Sequence, residues 1–168
     1  MIKEITNHLI FWVGFFLLVV LVNKLFSLSY WPFYVGGLIG LFLPYIDHLV
    51  HIFIFKPLEL TSQRVILLVK SKQYKMALNL LYDTRDERKE LIFHTLLFQV
   101  IFAVLTFWIV SSSGSFFVKG LVLAYFLNLT IFNLKKVINN EIILEDYDKS
   151  RIYFAVQVIL LFVFGILI

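Results

Sequence analysis

The chain has 168 residues, 61% of them hydrophobic and 18% aromatic, with a formal net charge of +4 and a mean hydropathy near +0.91. A soluble domain is about 45–50% apolar, so this composition excludes an ordinary soluble domain and points to one compact unit in a bilayer. Cysteine is absent, which excludes disulfides, thiolate nucleophiles and cysteine ligands; any metal must be held by His, Asp, Glu, Asn or water, a set suited to zinc or manganese.

In chain order, the first predicted span covers residues 9–26, close to the length of about 20 residues that a hydrocarbon core requires. No small-residue cleavage site follows it, so it is expected to be a retained span. Tyr30, Trp31 and Pro32 are an aromatic and proline turn at the interface. The second span, residues 33–55, carries Gly36, Gly37 and Gly40, which permit close helix contact. Pro44 is expected to kink this helix.

Residues 56–90 form a charged loop with eight basic and five acidic side chains. Its apolar residues fall in two clumps, which predicts two short helices on or just under the membrane surface. A third span covers residues 91–110, a fourth 116–134 and a fifth 152–168, with a second charged loop at 135–151. The expected fold is therefore all-α, a polytopic membrane bundle of about five transmembrane helices with interfacial helices in the first loop. No nucleic-acid partner is expected. Membrane lipid is, and the glycine-bearing second span suits a homo-oligomer or a membrane partner.

Five spans put the N-terminus and both charged loops on one side. Thirteen of the fifteen lysines and arginines then share that side, leaving Lys24 and Lys119 opposite. This bias predicts a cytoplasmic N-terminus, an outer C-terminus and residence in the cytoplasmic (inner) membrane.

The chemistry-bearing stretch lies near the cytoplasmic end of the second span, where Asp47, His48 and His51 fall within five residues. Ionisable groups at membrane depth are costly and need a partner, a wet cavity or an ion. Asp47 and His51 are four apart and share a helical face; His48 and His51 are three apart. His94, near the start of the third span, and Asn128, near the end of the fourth, are expected at the same depth. Metal ligands are thus sought among Asp47, His48, His51 and His94, with Asp47 and His48 as catalytic candidates. A divalent ion would offset the cost of Asp47 and support hydrolysis. Asp47 paired with Arg64 or a loop lysine is the structural alternative. His8 is expected to be an interfacial flank, and Gln99 and Asn133 to hydrogen-bond between helices.

Leu43-Pro44-Tyr45-Ile46-Asp47-His48 resembles the Leu-Pro-Asp-Ile-Asp-His signature of the YdjM-like family of membrane-bound proteins, assigned as metal-dependent hydrolases. His94-Thr95-Leu96-Leu97 resembles that family's second motif, Thr-His-Ser-Leu-Leu. Leu123-Ala124-Tyr125-Phe126-Leu127-Asn128 resembles the third, Gly-Tyr-Leu-Ser-His followed by Asp. The resemblance implies His and Asp ligands to a divalent metal and a distant similarity to zinc-dependent phospholipase C enzymes. Tyr45, Phe93, Asn128 and Phe132 stand where the family has Asp, Thr, His and Asp, so the resemblance implies a rearranged metal set with Asn128 as a weak oxygen ligand, or a lost site. The expected activity is hydrolysis of a phosphoester or lipid head group at the cytoplasmic leaflet, with a non-catalytic membrane scaffold or subunit as the alternative.

Overall fold

The computed structural model describes residues 2–84, 95–112, 114–139, 143 and 146–168, and every regular element among them is helical. In order these are α1 (Ile2–Asn23), α2 (Trp31–Val50) continued by a π-helical turn (His51–Phe55), α3 (Leu60–Lys70), α4 (Tyr74–Asp83), α5 (Leu96–Ser111), α6 (Phe116–Ile138) and α7 (Tyr147–Ile166). A 3-10 turn, Leu28–Tyr30, leads into α2, and Pro32 sits in the first turn of α2, where its missing N–H costs nothing.

α6 is the central element. It is long and apolar enough to cross a membrane, with 72% of its apolar window buried; α7 meets the same criterion with only 28% buried. The two segments Leu28–Leu43 and Ile46–Phe55, bent by 45° at their junction, would make a third crossing if taken as one span. The bend falls between Leu43 and Ile46, a stretch that includes Pro44, whose backbone has no N–H to give to the helix. His8–Asn23 and Leu96–Ser111 are shorter apolar helices.

The tightest packing joins α2 to α6. A Cβ on Gly36 would collide with the Phe117 carbonyl, one on Gly40 with Leu121 and Ala124, and one on Gly120 with the Phe33 carbonyl. Gly36 and Gly40 on one helix thus cross Gly120 and Ala124 on the other, both at the four-residue spacing that lets backbones touch. Gly37 faces away from this seam toward Trp12 and Phe16, and Trp12 Nε1 donates to the Gly37 carbonyl at 3.1 Å.

Around this seam Phe15, Phe16 and Val19 of α1, Phe33 of α2, Leu123 and Phe126 of α6, and Leu161 and Phe164 of α7 form the main core. A second cluster, Ile52, Val65 and Ala77, fastens the α3–α4 hairpin beneath the π turn. The outer face of α5 is a continuous stripe of exposed Leu97, Ile101, Val104 and Trp108, a pattern that suits hydrocarbon rather than water.

Candidate functional site

α2 carries Asp47 and His51 on one face. Asp47 is 1% exposed and His51 3%, whereas Ile46 and Leu49 between and beside them are exposed. Over this turn the helix points Asp47 and His51 inward and Ile46 and Leu49 outward, the reverse of a soluble helix. His48, one residue on from Asp47, is half-buried.

The backbone widens at this point. The His51 N–H reaches both the Asp47 and His48 carbonyls, and the Lys56 N–H bonds the His51 carbonyl at 2.8 Å in the i to i−5 pattern. Such π turns recur at functional sites because they re-aim side chains within a helix. Here the His51 ring approaches Glu59, with Nε2 3.5 Å from Oε2. Glu59 immediately precedes α3, so the loop after α2 brings a second carboxylate to the imidazole.

Across the α2–α6 seam, Asp47 lies near Tyr125 of α6. The Tyr125 ring is buried and held edge-on by Phe102, centroids 4.7 Å apart, and by Phe98, at 6.2 Å. Asp47 thus sits where α2, α5 and α6 converge.

Asn128 lies on the α1–α2 side of α6. Its Nδ2 donates to the Leu41 carbonyl at 3.0 Å and to Gly40 at 3.4 Å, and its Oδ1 is 3.1 Å from His8 Nδ1. The other ring nitrogen, His8 Nε2, is 2.9 Å from Lys135 Nζ. An ammonium can only donate, so Nε2 accepts and Nδ1 carries the hydrogen given to Asn128; the ring is the neutral Nδ1–H form. His8, expected as an interfacial flank, instead fastens α1 to α6. Helix α1 begins at Ile2, well before residue 9, and this carries His8 onto the packed face.

A third polar group ties α5, α6 and α7. Asn133 Nδ2 donates to Gln99 Oε1 at 2.7 Å and to Gln157 Oε1 at 2.6 Å. The Tyr153 hydroxyl donates to the same Gln99 oxygen at 2.8 Å. Gln99 and Asn133 are therefore interhelical hydrogen-bonding residues, as their apolar surroundings predict.

His94 lies outside the described residues, as does the rest of 85–94. Among the described residues, no three His, Asp or Glu side chains form a group that could hold a metal ion. The polar residues fall instead into separate groups: Asp47 near Tyr125, His51 with Glu59, His8 with Asn128 and Lys135, and the glutamine–asparagine knot. Asp47 and His51 each turn one donor inward from α2, an oxygen and a nitrogen. Sequence reasoning did not single out Glu59, Tyr125, Gln157 or Tyr153. Only the family-motif position of Tyr125 gave any signal.

No protein-family model matches the chain, and no curated protein or solved structure matches it.

Proposed function

We propose that the chain is a five-span protein of the cytoplasmic membrane carrying a metal-dependent hydrolytic centre at the inner leaflet. The observation that carries this is the inward burial of Asp47 and His51 on a helix whose Ile46 and Leu49 face outward. Membrane helices rarely hold ionisable groups without a use for them. Asp47 and His51 supply ligands, His94 completes the set, and His48 is a further ligand or a proton carrier. Asn128, anchored to α2 carbonyls and to His8, holds the helices in register and is the weakest ligand candidate. A divalent ion held there would polarise a phosphoester. The partial likeness to the YdjM-like motifs and the basic first loop, which attracts anionic lipid, both support a phosphoester or lipid-head-group substrate.

Hydrolysis of a phosphoester-headed lipid by the full chain in vesicles, with added zinc or manganese, tests the activity. Turnover that falls at least a hundredfold in Asp47→Ala and His51→Ala is expected, because removing a ligand removes the ion's contribution to the transition state. Wild-type protein without turnover on any such lipid would contradict it.

A non-catalytic scaffold is the alternative, favoured by the knot of Asn133, Gln99 and Gln157, where buried polar groups serve helix association alone. On that account Asp47→Ala changes assembly or stability and leaves metal content at background.

A further inference from the structure

An apolar groove of about 380 Å³ runs between α1, α6 and α7 and shares no residue with the centre at Asp47. Its size is in the usual range for a small-ligand site, roughly 300–1,000 Å³. Gly14 forms part of its floor, and a Cβ there would meet nothing within 4 Å. Phe11, Leu127, Ile131, Phe154 and Val158 line it, and the hydroxyl of Thr130 is turned to its own helix, donating to the Phe126 carbonyl at 2.9 Å. Water entering this groove would find no set of polar partners to hold it.

Two of its walls, α6 and α7, are the helices long and apolar enough to cross a membrane, so the groove opens toward acyl chains. Along α1 the lining extends from Ile10 to Leu18, about 12 Å at helical rise. The end at Ile10, Leu134 and Phe154 is where the charge lies. Lys135 follows Leu134 directly, and Arg151 precedes Phe154 by one turn, its guanidinium stacked 4.4 Å from the Tyr147 ring. The described part of 135–151 holds Lys135, Lys136, Lys149 and Arg151 against Asp146 and Asp148. We propose that the groove seats one acyl chain of a glycerophospholipid, with the lipid phosphate held at Lys135 and Arg151. The guanidinium has five donors and gives one to the Tyr147 hydroxyl, which leaves others for an anion.

This rests on the membrane-spanning reading of α6 and α7 and not on the hydrolytic one. The test is the phospholipid retained by the full chain after detergent extraction and repeated chromatography, quantified by mass spectrometry. Wild type is expected to keep stoichiometric phospholipid. Gly14→Leu, which fills the floor, should lose it several-fold with unchanged elution and helicity, and the Lys135→Gln, Arg151→Gln pair should lose it to a lesser degree. Val104→Leu on the outer face of α5 should retain it fully. If Gly14→Leu does not fold, Val158→Trp closes the groove from the α7 wall and must show the same loss. Equal retention in wild type and either groove-filling variant would overturn the proposal. Release of the chain from membranes by a carbonate wash would instead overturn the spanning of α6 and α7.

Discussion

Asn133 shows what a single buried amide does in this bundle. One nitrogen serves the carbonyls of Gln99 and Gln157 on two other helices, while Asn133 Oδ1 and Gln157 Nε2 have no hydrogen-bond partner among the described residues. The knot is therefore strong on one side and incomplete on the other. Asn133→Leu keeps the volume and strips both bonds, and is expected to lower stability by about 1–2 kcal/mol, since each such bond is worth about 0.6 in a membrane and an orphaned oxygen costs more. Equilibrium unfolding in mixed micelles measures it. Lys72 is another residue whose local geometry sets an expectation. It lies two residues beyond α3 with φ of +60°, a left-handed conformation that costs a side-chain-bearing residue about 1 kcal/mol. Lys72→Gly should raise the midpoint of thermal unfolding, with no change in metal content or lipid retention.

Among the elements, the seam between α2 and α6 places everything else. Gly36, Gly40 and Gly120 let the two backbones meet, and this contact sets Asn128 beside the Leu41 carbonyl and Asp47 within reach of Tyr125. Gly120→Leu must therefore separate the helices and is expected to abolish folded, monodisperse protein, read by size-exclusion chromatography. Gly14→Ala is its control, because that Cβ enters open space; it should gain about 0.5–1 kcal/mol from helix propensity.

Much of this element layout was legible in the sequence. Apolar runs near span length located α1, α2, α5, α6 and α7, and the alternation of charge and apolar clumps located the α3–α4 hairpin. The glycines announced a close contact without saying with which helix. The clasp at His8 was not legible, because its partners Asn128 and Lys135 lie 120 or more residues away and a lone histidine at a helix start reads as an interface residue. The approach of Glu59 to His51 was hidden for a related reason. It depends on a π turn, which sequence periodicity does not reveal.

At the scale of the whole molecule, buried polar centres are wrapped in outward-facing aliphatic side chains, with α6 inside and the faces of α5 and α7 outside. The proposed orientation rests on the charge bias of the loops. With no native cysteine, single cysteines at Ser71 and Leu167 report it by labelling with an impermeant thiol reagent in intact and opened vesicles. Ser71→Cys should label only from the cytoplasmic side and Leu167→Cys only from the outer side; both on one side would contradict five spans. The proposed hydrolytic centre is tested most directly by the divalent metal content of full-length protein purified without chelator. Stoichiometric zinc or manganese in wild type, lost in Asp47→Ala and in His94→Ala while both remain folded, is the predicted result. Metal-free wild type that also fails to take up added zinc or manganese would contradict it.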